Sequence, residues 1–179
     1  MEAAHRDKSI ASQLREEILR NPRKMTLQLA RDFGVPEVDV IRAFPEERAV
    51  ELTISRWEEL LRSLEAFGPV RVIVSNGATT IEASGCFGGF SSTGDFFNVQ
   101  SESLDMHLRW RELASVFAVE KPGHMGGPAT YSVQFFDRSG TAALKVFLNF
   151  GEPLAPQHHR LFSELRDRFR ASGSGEDTD

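Results

Sequence analysis

The first 68 residues carry apolar side chains at every third or fourth position, which is the spacing of amphipathic helices. Pro22 and Gly34 are expected to end the first two helices, and Gly68 the fourth. Ser55 and Glu58 have the spacing of a capping box at the start of the fourth helix. The apolar sets of the four predicted helices are Ile10, Leu14 and Ile18; Leu27, Ala30 and Phe33; Val38, Ile41 and Phe44; and Trp57, Leu60, Leu61 and Leu64.

From residue 69 onward the apolar period changes to two, which predicts strands. Asn76-Gly77 and the run 137–140 are hairpin signals, so neighbouring strands are expected to pair antiparallel. The glycine-rich run 85–94 is predicted to form a loop or bulge. The predicted strands cover 69–75, 78–84, 95–101, 104–110, 115–120, 130–136 and 141–150.

A final helix is predicted after Pro156, with Leu161, Leu165 and Phe169 on its apolar face. The chain is therefore expected to be an α+β protein with N-terminal helices, about seven antiparallel strands and a C-terminal helix. The predicted organisation is a helical part at 1–68 packed on the same domain, a sheet core with the C-terminal helix at 69–171, and a disordered tail at 172–179.

Composition narrows the possible functions. The 179 residues include 21 basic and 26 acidic side chains, a formal net charge of −5, so the global positive field typical of nucleic-acid binding is absent. A lone cysteine, Cys86, excludes an intramolecular disulfide and a multi-cysteine metal site. The absence of a signal-like apolar segment and of a long apolar run predicts a cytoplasmic protein without membrane insertion. Fourteen of 17 aromatic residues are Phe, which suits a large core or an apolar ligand cleft.

The segment 26–44 has the appearance of a helix-turn-helix. Its second helix offers Glu37, Asp39 and a single Arg42 to a DNA backbone, and the two acids would oppose binding to phosphates. A small helical cap on the sheet is the favoured interpretation, and DNA binding is the alternative.

One histidine stands out by its position in a strand. Period two places Asp105, His107 and Arg109 on one face of the strand 104–110, opposite Leu104 and its apolar neighbours. A neutral imidazole can ligate iron, and an arginine two residues away can pair with a carboxylate. A solvated polar strand face explains the same pattern. No nucleophile or phosphate-loop motif is present, so the sequence predicts no catalytic residue.

The order of several motifs resembles a known family. The segments 68–74, 82–85, 107–120, 132–140 and 144–148, followed by a helix from Gln157 to Phe162, occur in this order. The pattern, over roughly residues 24–170, resembles the bacterial heme-utilisation carriers of the HutX/ChuX type, and also one repeat of the HemS/ChuS-type hemin-transfer and hemin-degrading proteins.

The resemblance implies stacked antiparallel sheets with flanking helices, a homodimer, and heme as cargo bound for uptake, storage or transfer. It implies that His107 is the iron ligand. On the heme-carrier hypothesis Arg109 meets a propionate, and Phe residues in and beside the glycine-rich run contact the porphyrin, with Phe87, Phe90, Phe96 and Phe97 as candidates. A second histidine of such carriers corresponds to Ser75, which is a poor iron ligand. A five-coordinate site, help from His124, or loss of heme affinity are all open. Heme degradation and a non-heme regulatory module remain alternative functions.

Overall fold

The computed structural model describes residues 2–172, with the side chains of residues 2–9 and of His124 outside the description. The predicted disordered tail therefore lies almost entirely outside the described residues. The helices are α1 Glu2–Arg20, α2 Thr26–Phe33, α3 Glu37–Arg42, α4 Trp57–Ser63 and α5 Pro156–Phe169. The strands are β1 Ala49–Leu52, β2 Pro69–Ser75, β3 Thr80–Cys86, β4 Phe90–Thr93, β5 Phe96–Gln100, β6 Asp105–Arg109, β7 Leu113–Lys121, β8 Thr130–Asp137 and β9 Ala142–Phe147. No helix in this range is long and apolar enough to cross a bilayer.

The helices occupy the predicted segments. Gly34 ends α2 in the left-handed conformation, with φ +64°, as its position after Phe33 predicts. The predicted capping box of α4 is wrong. Ser55 lies within a 3₁₀ turn, Ile54–Arg56, and the residue that precedes α4 is Arg56, which makes no side-chain capping bond. The short 3₁₀ turn leads directly into the helix, so α4 begins at Trp57, one residue later than the motif suggests.

The strands form two antiparallel sheets, a six-stranded one in the order β1-β7-β8-β9-β2-β3 and a three-stranded one in the order β4-β5-β6. The α+β class with antiparallel sheets is confirmed. Two strands, β1 and β4, are absent from the prediction, and β4 lies inside the run 85–94 that was expected to be a loop or bulge. The Asn76-Gly77 turn is confirmed, because Asn76 Oδ1 accepts hydrogen bonds from the backbone N–H groups of Ala78 and Thr79 at 3.0 and 2.8 Å.

Two apolar cores lie on the two faces of the large sheet. The main core joins one face of this sheet to the inner face of the small sheet and to α4 and α5; it includes Val72, Phe135, Phe97, Leu61 and Phe162. The smaller core joins the other face to α1, α2 and α3; it includes Phe117, Phe136, Leu14, Leu29 and Ile41. The helices of the smaller core cover β1, β7 and the adjoining parts of β8 and β9 on that face, including Ala142 of β9. The open half consists of β2, β3 and the remaining parts of β8 and β9.

Candidate functional site

The outer face of the small sheet carries the predicted iron ligand. Strand register places Ser91 opposite Asn98 and Asn98 opposite His107, so the three side chains lie side by side across the three strands. We call this surface the histidine face. The His107 side chain is 55% exposed.

The imidazole is held by a hydrogen bond that selects one tautomer. His107 Nδ1 lies 2.8 Å from Asn98 Oδ1. The amide nitrogen of Asn98 is directed to Ser91 Oγ at 3.0 Å and Thr93 Oγ1 at 3.4 Å, which leaves its oxygen for the imidazole. Because that oxygen can only accept, Nδ1 carries the proton, and Nε2 is the nitrogen that can bind a metal. Nε2 lies 3.5 Å from Asp105 Oδ1, so a metal there would also lie beside this carboxylate. Asn98 is thus a positioning residue that the sequence prediction missed.

Arg109 and Phe96 lie beside His107 on this face. The Arg109 guanidinium lies 5.4 Å from the centroid of the Phe96 ring. The Phe96 and His107 rings are nearly perpendicular, with their centroids 6.4 Å apart. The structure therefore brings His107 and Arg109 together, with one half-exposed aromatic ring between them.

The other two predicted site residues lie on the opposite face of the small sheet. Phe97 is fully buried in the main core and stacks on the half-buried Phe90 at a centroid distance of 5.8 Å. The Trp57 ring meets Phe97 edge-on at 5.2 Å, and Arg62 covers both Phe rings. Because successive strand residues point to opposite faces, a ligand on the histidine face cannot also contact Phe97.

A large cavity lies elsewhere, over the open half of the six-stranded sheet. We call it the cleft; its volume is about 630 Å³, within the usual range for small-molecule sites. Its wall is the start of α2, its floor is formed by β8, β9, β2 and β3, and Pro122 and Phe150 lie at its margins. Its lining includes Met25, Thr26, Leu27, Arg31, Glu37, Arg71, Ile73, Ser75, Gly77, Glu82, Lys121, Ser132, Gln134, Lys145, Phe147 and Phe150.

The floor of the cleft combines apolar and polar side chains from four strands in register. Gln134, Lys145, Ile73 and Glu82 form one row across the sheet. The buried Oε1 of Gln134 has no hydrogen-bond partner among the described residues, while its amide nitrogen donates to Ser132 Oγ. An unpaired buried acceptor is costly, so the floor favours a ligand or water that donates to it.

Most charges in the cleft are already paired. The buried Glu37 accepts short hydrogen bonds from both Lys145 Nζ and Thr26 Oγ1. Arg71 pairs with Glu82 at 3.2 Å and lies 4.3 Å from the centroid of the Phe150 ring. These pairs leave little net charge at the centre of the floor.

Two cations of the cleft are bound to no carboxylate among the described residues. Arg31 donates to the carbonyl of Gly77 at 2.8 Å, which fixes α2 to the β2–β3 turn. Lys121 makes one long contact, 3.4 Å, with the carbonyl of Pro122. Burial together with the nearby positive charges of Arg23 and Lys145 lowers the pKa of Lys121 to about 8. An anionic group beside Lys121 would relieve both effects.

The cleft and the histidine face lie on opposite sides of the molecule. The main core separates the small sheet from the large sheet, and the cleft lies on the far side of the large sheet. Ser75, the position where the resemblance implies a second histidine, lines the cleft, and its hydroxyl accepts a hydrogen bond from Thr80 Oγ1 at 3.0 Å. Positions 75 and 107 of one chain therefore cannot hold the same iron.

The sequence prediction missed the cleft, although one signal for it was present. Ser132 and Gln134 are polar residues that alternate with Val133 and Phe135 in a strand buried on both faces. Buried polar residues in such a strand mark a face that meets something other than the apolar core. Tertiary packing brings α2 and Lys121 to this face, and no local sequence motif predicts that packing.

Comparison with known proteins identifies the family. The model of the haemin-degrading HemS/ChuX domain matches residues 34–169. The chain belongs to this family. The intracellular heme transport protein HutX of Vibrio cholerae is 25% identical over 166 residues, which is 90% of this chain and 85% of HutX.

Two solved structures show the same fold. The heme-binding protein ChuX superposes with a TM-score of 0.76 at 20% identity, covering 87% of this chain and 97% of ChuX. The heme-degrading enzyme ChuS of Escherichia coli O157:H7 superposes with a TM-score of 0.76 at 25% identity. That match covers 94% of this chain but 48% of ChuS, so the chain spans about half the length of ChuS.

Proposed function

We propose that this protein binds heme and stores or transfers it. HutX, the relative that aligns along most of the chain, is an intracellular heme transport protein. The observation that carries the proposal is the cleft, which combines apolar side chains such as Ile73 and Phe147 with Lys121, a cation that has no carboxylate partner among the described residues. Heme is a flat apolar ring with two carboxylates at one edge, and these are the two chemistries that the cleft offers.

In the proposed complex the porphyrin lies on the floor of the cleft. Ile73 and Phe147 provide apolar contact from the sheet, and Leu27 contacts the ring from the α2 wall. A propionate then pairs with Lys121, whose charge is otherwise only weakly partnered. Gln134 Oε1 takes a hydrogen bond from the second propionate in its protonated form or from a bridging water.

The histidine face is the second candidate surface for the same function. Its support is the His107 imidazole, which Asn98 holds through Nδ1 while Nε2 lies beside the Asp105 carboxylate. Arg109, on the same strand face, can pair with a propionate. Phe96 would provide the apolar contact to the porphyrin on this face, while Phe90 and Phe97 pack on the opposite face of the small sheet. A heme on this face is far from the cleft of the same chain, so variants separate the two sites.

We propose further that the protein works in the cytoplasm and pairs as a homodimer. β3 is an edge strand of the large sheet, and its Ile81 lies opposite Val74 of β2. Both side chains are exposed, so an apolar patch adjoins unpaired backbone groups. A second copy of the chain that adds its own β3 would cover both.

Heme titration followed by absorbance tests the function and the site together. Wild-type protein is expected to shift the Soret band of heme. Ile73→Glu places a carboxylate on the floor of the cleft and is expected to weaken binding by about tenfold or more, because an anion would be desolvated against the porphyrin and its carboxylates. Leu19→Glu, at an exposed position of α1 outside the cleft, is the matched control and is expected to bind like wild type.

The outcomes separate the hypotheses. An unchanged heme spectrum with the wild-type protein rejects the proposed function. Full loss of the Soret shift in His107→Ala, with heme binding by Ile73→Glu unaffected, would show that the site is the histidine face. His159→Ala is the control for the loss of a histidine elsewhere. Loss of the Soret band and release of iron on adding a reductant would favour heme degradation over transfer.

A further inference from the structure

We propose that Met25 supplies the axial ligand to the iron of a heme seated in the cleft. This inference rests on the proposed function and names a residue that the family resemblance does not supply. Met25 is the residue immediately before α2, and its side chain lines the cleft on the wall opposite the sheet.

The described side chains of the cleft offer few atoms that bind iron. The lining contains no histidine, cysteine or tyrosine side chain among those described. The nitrogen and sulfur candidates are the thioether of Met25 and the amines of Lys121 and Lys145. Lys145 is ion-paired with the buried Glu37, and an amine must lose its proton before it can ligate.

The placement of Met25 favours the thioether. Floor residues such as Ile73, Phe147 and Gln134 present methyl, ring and amide groups to one face of a ring lying on the sheet. The opposite face then meets the α2 wall, where Met25 lies beside Leu27. The iron is at the centre of the ring, so its ligand comes from this wall.

The backbone of Met25 is anchored by a hydrogen bond, while its side chain is half-exposed. Its carbonyl accepts the N–H of Leu29 at 3.0 Å, which anchors the residue to the first turn of α2. Its φ and ψ of −66° and 138° are unstrained. The side chain is 53% exposed and belongs to neither core. A half-exposed thioether on the wall of an apolar cleft gains packing only when the cleft is filled.

Thioether ligation suits a protein that passes its cargo on. Sulfur of methionine is an established axial ligand of heme iron and needs no deprotonation. It carries no charge, so binding requires no compensating cation in the floor. Dissociation of the thioether from iron also needs no proton, so release of the ligand does not depend on a proton donor.

The experiment compares two methionines in the full-length protein loaded with ferric heme. Met25→Leu keeps the volume and removes the sulfur, whereas Met125→Leu removes a sulfur from an exposed loop residue. The wild type is expected to show the near-infrared charge-transfer band of sulfur-ligated ferric heme. Met25→Leu is expected to lose this band and to bind heme about tenfold more weakly, the lower end of the loss seen when a metal's ligand shell is disturbed. Met125→Leu is expected to keep both.

A rescue variant keeps the proposal falsifiable. Met25→His is expected to give the low-spin spectrum of an imidazole ligand in the same cleft. The proposal is overturned if Met25→Leu keeps the band and the affinity of the wild type, or if either His107→Ala or His124→Ala changes the ligand spectrum while Met25→Leu does not. Failure of the wild type to bind heme at all rejects the proposed function itself, and the ligand assignment with it.

Discussion

Lys121 lies in surroundings of the cleft that are unfavourable for its positive charge. Its ammonium group is half-buried, lies near two other cations and has no carboxylate partner among the described residues. These surroundings oppose the charged form, so its pKa falls from 10.5 to about 8. A propionate beside it stabilises the charged form, so heme binding and proton binding at Lys121 favour each other.

The affinity for heme is therefore expected to decrease as the pH rises through 8. Below pH 8 Lys121 carries the charge that the propionate needs; above it the free protein loses the proton, and the affinity decreases by up to about tenfold per pH unit. Lys121→Arg stays charged throughout and is expected to show a flatter profile. The measurement is a heme titration at pH 6 to 10 for both proteins.

Heme dimethyl ester provides the matched ligand control. It has no carboxylate, so its affinity is expected to be the same for wild type and Lys121→Arg across this pH range. A pH profile that is equally steep for heme and for the ester in the wild type would contradict the pairing of Lys121 with a propionate.

At the level of single residues, the alternation of side chains between the two faces of a strand predicted part of the site. It placed His107 and Arg109 on one face correctly, because alternation along a strand is local. It could not pair Asn98 with His107, since register between strands depends on turns and packing. Phe97, beside the glycine-rich run, is predicted to contact the porphyrin, yet the same alternation turns its side chain toward the core.

Among the elements, β4 depends on Gly88 and Gly89, although these glycines predict a loop at this place. The chain passes from β3 in the large sheet to β4 in the small sheet through Gly88 and Gly89, and Gln100 N–H donates to the Gly88 carbonyl at 3.1 Å. Gly89 has φ +58°, and a Cβ there would lie 2.0 Å from the carbonyl oxygen of Gln100. Glycine predicts a loop from local propensity, whereas here it allows the crossover between sheets.

Gly89→Ala is expected to destabilise the protein by about 3 kcal/mol, from the left-handed backbone and the steric overlap together. Gly94→Ala is the matched control, because Gly94 has the same φ of +58° but open space around its Cα. Its cost is expected to be about 1 kcal/mol. Urea denaturation of both variants measures the difference; equal losses would show that the contact with Gln100 has no effect.

β1 shows why a short strand is difficult to predict from the sequence. Its four residues follow α3 closely and lack a long alternating pattern. The strand is held from outside, by its pairing with β7 and by Ala171 N–H, which donates to the carbonyl of Glu51 at 3.0 Å. Contacts between residues so far apart in the chain, such as Leu52 with Val116 and Glu51 with Ala171, leave no local trace in the sequence.

For the whole molecule, the proposed homodimer makes a prediction about mass. Ile81 is 65% exposed on the edge strand β3, so Ile81→Lys places a charge in the proposed interface. Sedimentation is expected to give twice the chain mass of 20.0 kDa for wild type and for Leu19→Glu, and the single chain mass for Ile81→Lys. A wild-type protein that sediments as a single chain, or an Ile81→Lys variant that stays paired, would contradict this interface.

The two arginines that flank the α2 wall bear on how fast a ligand leaves the cleft. Arg31 donates to the Gly77 carbonyl, and Arg23, just before α2, donates to the Gly123 carbonyl at 2.7 Å. Hydrogen bonds of this kind are exchanged for bonds to water at small net cost. Leu29 and Ala30 keep the middle of α2 in the smaller core, and Thr26 binds Glu37. The two arginine bonds can therefore exchange while the helix stays packed, and their loss is expected to shorten the residence of a broad, flat molecule in the cleft without separating either core.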